Sequence, residues 1–245
     1  MDFFITIFNE ALYRPIFNFL IFVYNVIPGR DFGIAIIIVT ILLRILLFPL
    51  AHKALKSQKA LQELQPKIKE MQGKIKNKEE QAKKLLEFYK ENKINPFSGC
   101  LPILIQLPIL IALYRVFLHG LDPSSLDALY PFIQNPGTIN PTFLSIIDLS
   151  KPNYWLAILA GVSQYIQSKA TFQKKDKPGQ GMLNSDFSKS MTMSFLYVMP
   201  VFLVVISWKL PAGLPLYWVI TMLFSWGQQV IVNKGFKKTL STVDK

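Results

Sequence analysis

The stretch Phe32–Leu50, FGIAIIIVTILLRILLFPL, decides the fold class. A helix needs about 20 residues to cross roughly 30 Å of hydrocarbon, and this run supplies that length almost without charge. The exception is Arg44. A guanidinium at mid-membrane costs roughly 2.5–3.5 kcal/mol on insertion scales, so it is tolerated when paired or wetted. No Asp or Glu lies in any run of this chain read as a span, so no span offers a counter-ion. Two readings stand. Arg44 faces a hydrated cavity within the membrane, or it snorkels to a helix end only six residues away. Both place positive charge toward the cytoplasmic half.

Working outward, the runs Cys100–Leu118, Asn153–Ser168, Met191–Trp208 and Leu214–Val232 have the same character. Together they predict an all-α polytopic membrane protein with five transmembrane helices, the first over residues 31–52 and the other four within 96–233. The 245 residues are 51% hydrophobic and 13% aromatic, as such a protein requires. Upstream, Phe3–Ile27 is apolar but carries Glu10, Arg14, Asn18 and Asn25 along one helical face. That stripe predicts an interfacial amphipathic helix over residues 1–30; an extra span or signal anchor is the rival reading. The single cysteine, Cys100, excludes an intramolecular disulfide, and His52 and His119 make no ligand set, so no metal or cofactor is expected.

Residues 53–95 form a charged block between the first two spans. Within it Leu61, Leu64, Ile68, Met71 and Ile75 recur at alternating 3-4 spacing, the seam of a helix that packs on another. Ala82, Leu85, Leu86 and Tyr89 supply a matching stripe, with Gly73–Asn77 as the reversal. This predicts a helical hairpin, whose first arm restarts at Pro66 because proline suits a first helical position. Lysines orient the whole. Twelve lie in the hairpin, and more lie in the loop 169–190 and the short basic tail 234–245. The opposite side carries Arg14, Arg30, Lys151 and Lys209, with Asp122, Asp127 and Asp148 in the loop 119–152. The positive-inside rule makes hairpin, third loop and tail cytoplasmic, with the N-terminus outside. The net charge of +12 then reads as loops near anionic membrane lipids, not as a DNA-binding surface. Clustered lysines are also compatible with ribosomal RNA phosphates.

Polar side chains recur inside the runs. Thr40 lies one turn before Arg44. Gln106 lies in the second span, Ser163, Gln164 and Gln167 in the third, and Thr221, Ser225, Gln228 and Gln229 in the fifth. Thr221, Ser225 and Gln228 share one helix face. These faces are expected to converge on one hydrated groove; the alternative for each is an interhelical hydrogen bond worth about 0.6 kcal/mol. No catalytic set emerges. No His and carboxylate share a span, and neither G-x-S-x-G nor H-E-x-x-H appears, so an enzyme is not expected. No internal repeat appears, which argues against a transporter of two inverted halves.

Four stretches carry a family resemblance: LLRILLFPL (Leu42–Leu50), LQELQPKIK (Leu61–Lys69), NPFSGCLPILIQLPILIALYRV (Asn95–Val116) and LPAGLPLYW (Leu210–Trp218). From about Tyr13 to Asn233 the chain resembles the YidC/Oxa/Alb family of membrane protein insertases. The resemblance implies a five-helix core with a groove open to cytoplasm and lipid and closed toward the outside. Arg44 matches the arginine that the family places in that groove. Gln106, Gln167 and Trp218 fall in motif stretches and carry over as groove or core positions. The chain is expected to be a short bacterial form, multi-pass in the plasma membrane, without the large extracytoplasmic domain of many Gram-negative members or the ribosome-binding tail of mitochondrial ones. The implied clients are nascent membrane proteins, with ribosome and Sec translocon as partners. A small channel or transporter, or a purely structural partner of the translocon, are the other readings.

Overall fold

A computed structural model describes residues 2–75, 77–92, 101–120, 122–171 and 193–243. The end of the hairpin, Cys100 and most of the loop 169–190 lie outside the described residues. The chain is mostly helical. It opens with α1 (Asp2–Phe8), a π-helical turn (Asn9–Tyr13) and α2 (Arg14–Val26), which follow one another without a break. Then come α3 (Phe32–Leu46), α4 (Phe48–Lys74), α5 (Lys78–Glu91) and α6 (Leu101–His119). After a long loop follow α7 (Tyr154–Thr171), a π-helical turn (Ser194–Val198) running into α8 (Met199–Ser207), and α9 (Gly213–Val243). The loop adds a small antiparallel pair, β1 (Thr142–Phe143) and β2 (Ile147–Asp148), with Thr142 opposite Asp148.

The decisive run forms α3, but it ends four residues earlier than expected. Pro49 has no N–H to donate to the carbonyl of Ile45, and its ring crowds that turn. The chain therefore bends by 64° between Phe32–Leu46 and Phe48–Leu61. Among the described residues no single helix is long and apolar enough to cross a membrane, but this bent pair is. Arg44 consequently sits in the last turn of α3, where the helix dipole favours a cation. Asp31 caps the other end: one carboxylate oxygen accepts from Ile34 N–H at 2.9 Å and the other from Leu144 N–H at 2.5 Å. One side chain thus starts the helix and anchors the turn between β1 and β2.

The two asparagines of the N-terminal stripe face the loop 119–152. Asn18 is buried, and its amide donates to Ala128 O at 3.1 Å while its carbonyl oxygen accepts from Tyr130 N–H at 2.6 Å. Asn25 donates to Gln134 O at 2.6 Å. The stripe pins the loop 119–152 onto the bundle, and the opposite, aromatic face of α2 packs into the core.

The core lies between α2, α3, α6 and α9, built on Phe17, Leu20, Ile21, Phe32, Phe117 and Leu214. α7 packs on α8 and α9 through small residues. At Gly161 an added Cβ would stand 2.3 Å from Val204 Cγ2, so only glycine fits that crossing. The outside is the reverse of a soluble protein. Val201, Phe202 and Val205 of α8 are 64%, 55% and 54% exposed, on one apolar face that suits lipid.

The first arm of the hairpin runs unbroken through Pro66, so no new helix begins there. Ile68 is buried, and Leu61, Leu64 and Met71 are half-buried, as their seam requires. Of the matching stripe on α5, Leu85 and Tyr89 are half-buried, whereas Ala82 and Leu86 turn outward. Burial raises the Tyr89 phenol above its ordinary pKa, in line with a packed position.

Candidate functional site

Arg44 reaches across the bundle, not along its own helix to the nearer end. Its Nη2 donates to Gln106 Oε1 at 2.5 Å. Gln106 Nε2 in turn donates to the hydroxyl of Tyr217. The two ends of one amide thus tie α3 to α6 and α6 to α9. Among the described residues no carboxylate lies within ion-pair distance of Arg44. Its partners are neutral, so the guanidinium keeps its positive charge inside the seam.

α9 continues this seam. Tyr217, Thr221 and Gln228 are buried on one face, and Ser225 beside them is half-buried. Thr221 Oγ1 and Gln228 Nε2 are buried without a hydrogen-bond partner among the described residues. An unsatisfied buried polar group costs about 1–3 kcal/mol, so two of them on one face call for an outside explanation such as water or a bound chain. Further along, Gln229 Nε2 donates to Asn233 Oδ1 at 3.3 Å, and Lys59 of α4 donates to the same oxygen at 3.0 Å. That bracket fastens the base of the hairpin to the last helix.

The remaining sequence-chosen positions divide. Thr40 is buried beside this region, but its hydroxyl donates to Ile36 O at 2.6 Å within its own helix. Gln164 donates to Ser168 and Gln167 to Thr171, each at 3.0 Å and each within α7. Neither glutamine is hydrogen-bonded to Arg44. Trp218 belongs to the hydrophobic core. Tyr217, Lys59 and Asn233 were not among the sequence-chosen positions. Tyr217 was within reach, because it lies one turn before Thr221 on the polar face. Arg115 is a second arginine inside a predicted span. It lies toward the loop end of α6, where its Nη1 donates to Asn9 Oδ1 at 2.8 Å.

Comparison with known proteins places this arrangement. The family model described as 60Kd inner membrane protein matches residues 22–239. Membrane protein insertase YidC of Fusobacterium nucleatum subsp. nucleatum is 35% identical over 226 residues, covering 91% of this chain and 97% of that protein. Membrane protein insertase YidC 2 of Listeria innocua serovar 6a is 36% identical over 214 residues, covering 85% of this chain but only 66% of the relative. Among solved structures, an active YidC insertase crystal structure with its first transmembrane domain resolved matches at TM-score 0.57 and 25% identity. It covers 90% of this chain and 45% of the other. A matched region that holds the Arg44–Gln106–Tyr217 seam and nearly every described helix leaves one conclusion: the chain belongs to the YidC family of membrane protein insertases.

Proposed function

We propose that the protein takes weakly hydrophobic segments of nascent membrane proteins from the cytoplasmic side through the polar seam around Arg44. The observation that carries this reading is a guanidinium held by a neutral amide, itself anchored on a phenol, inside a bundle whose outer faces are apolar. A polar or acidic client flank exchanges bulk water for Arg44 and the unpartnered groups of α9, which shortens the apolar path it must cross. The client's own span then leaves for lipid, driven by about 25 cal/mol per Å² of apolar surface. No nucleotide is needed in this scheme.

The test is reconstitution. Purified protein in liposomes is expected to raise protease-protected insertion of a short single-span client several-fold over empty liposomes, a difference of about 1 kcal/mol or more in barrier. Solute flux without insertion would favour a channel instead.

In this reading five spans run from an outside N-terminus to a cytoplasmic C-terminus, with the hairpin near anionic lipid and within reach of ribosome and Sec translocon. The lysine asymmetry supports that orientation. In a Cys100→Ser background, Gly73→Cys should react with impermeant thiol reagents only from the cytoplasmic side, and Ser124→Cys only from outside. Labelling of Gly73→Cys in intact cells would reverse the topology.

The hairpin serves delivery of the client. Ile68 is 4% exposed, so aspartates at Leu64 and Ile68 should disrupt the seam locally. The Leu64→Asp/Ile68→Asp variant is expected to lose most insertion activity while its membrane bundle unfolds at the parent temperature. Unchanged insertion would make the hairpin dispensable.

A further inference from the structure

A cavity of about 940 Å³ lies at the end of α6 away from the Arg44 seam. It is bounded by the π-helical turn Asn9–Tyr13, by α6 from Ile111 to Leu118, and by the 3-10 turn Pro123–Ala128. Arg115 stands nine residues beyond Gln106, about 13 Å along the helix, so the two arginines serve separate places. The π turn is an insertion that widens the helix locally, a feature often found where a helix meets a ligand.

The charges lining the cavity are unevenly matched. Arg14 donates to Glu10 at 2.9 Å and to Ala128 O at 3.3 Å, and lies over the Tyr130 ring, so that pair satisfies itself. Arg115 has Asn9 as its hydrogen-bond acceptor and lies over the Phe8 ring at 5.2 Å. A guanidinium has five N–H donors, and the amide oxygen takes one. No carboxylate among the described residues lies within ion-pair distance of Arg115. Asp127, exposed on the 3-10 turn, lines the same cavity without pairing to it. What remains is one cation and one anion, unbridged. Beside them Ile111 and Leu118, each 42% exposed, offer an apolar wall.

A phospholipid head group with an amine has this same pattern. Its phosphodiester accepts charge-assisted hydrogen bonds from a guanidinium, its ammonium pairs with a carboxylate, and its acyl chain covers an apolar helix face. A purely anionic head group would leave Asp127 facing like charge. We propose that this cavity holds one aminophospholipid of the outer leaflet, its phosphate on Arg115 and its ammonium toward Asp127. The inference rests on the membrane placement given above but not on the insertion mechanism.

Native mass spectrometry of the full chain in mild detergent tests it. The probe is an equimolar mixture of phosphatidylethanolamine, phosphatidylglycerol and phosphatidylcholine with identical acyl chains. One phosphatidylethanolamine should be retained, favoured about tenfold over each of the others. Arg115→Gln, which keeps an amide beside Asn9, should lose retention of all three. Asp127→Asn, an exposed change that spares the fold, should keep a bound lipid but lose the preference for the primary amine. Equal retention of the three lipids by the parent would overturn the proposal, as would retention unchanged in both variants. Displacement by water-soluble glycerophosphoethanolamine at equal concentration would overturn a lipid as the occupant. Insertion activity does not enter this readout, so its loss and the loss of lipid selectivity are separate outcomes.

Discussion

Arg44→Ala is expected to reduce insertion of a client with an acidic translocated flank by about tenfold or more, while a charge-neutral version of the same client loses little. The magnitude follows from the interaction removed. A hydrogen bond to a charged group is worth about 1.5–3 kcal/mol, and 1.4 kcal/mol is a factor of ten. Among the described residues no carboxylate neutralises Arg44, whose hydrogen-bond partner is Gln106. That charge is therefore available to an incoming carboxylate. Arg44→Lys should keep most activity, since charge matters here more than the planar fork, although the bond to Gln106 must be remade by a shorter reach. A snorkelling arginine with no client role would give the opposite pattern. Removing it would then relieve the membrane of an expensive group, and both client versions would insert as before. Equal activity of Arg44→Ala on the two clients would therefore remove the charge from the mechanism.

Phe117→Ala is expected to destabilise the bundle by about 3–5 kcal/mol, the usual cost of deleting a buried aromatic ring. Phe117 is 3% exposed and meets Phe32 edge-on, with centroids 6.2 Å apart and planes at 90°. It also lies against the start of α9: a Cβ placed on Gly213 would stand 2.3 Å from its ring. Gly213→Ala should thus cost about 1–3 kcal/mol by overpacking. In the Phe117→Ala background that cost should shrink by about 1 kcal/mol or more, because the obstructing ring is gone. Equilibrium unfolding in mixed detergent micelles measures all four proteins. Strictly additive costs would show that the two residues do not share this contact in solution.

Local physics was readable in the chain, and long-range partners were not. The apolar run Phe32–Leu50 announces a helix, and the proline that ends it early is visible in the same nine letters that carry the family resemblance. The polar face of α9 follows from spacing alone, and so does the burial of Ile68 on the hairpin seam. The N-terminal stripe was legible as a stripe but not as a clamp. Its acceptors and donors on Ala128, Tyr130 and Gln134 lie more than 100 positions away in the chain. Without them a polar face on an apolar helix reads as a boundary between lipid and water. Gln164 and Gln167 were legible as polar positions, but not their partners. A hydroxyl one turn ahead, on Ser168 or Thr171, satisfies each amide within its own helix. Tyr217 reads as apolar between leucine and tryptophan, although its place one turn before Thr221 puts it on the polar face, and its hydroxyl completes the chain from Arg44. Arg115 stood in plain view near the end of its span, and only the fold brings Asn9 to it.

Clients are expected to pass along the polar face of α9 and not over its apolar back. Ser225 and Leu223 lie on the same helix about 200° apart, the first half-buried in the polar seam and the second 47% exposed on the outer face. A photoreactive residue at each position, illuminated while a ribosome-bound client is stalled midway through insertion, compares the two faces within one experiment. Strong crosslinks to the client from position 225, with weak ones from position 223, are the expected result. Equal crosslinking from both positions, or crosslinking from position 223 alone, would contradict the account.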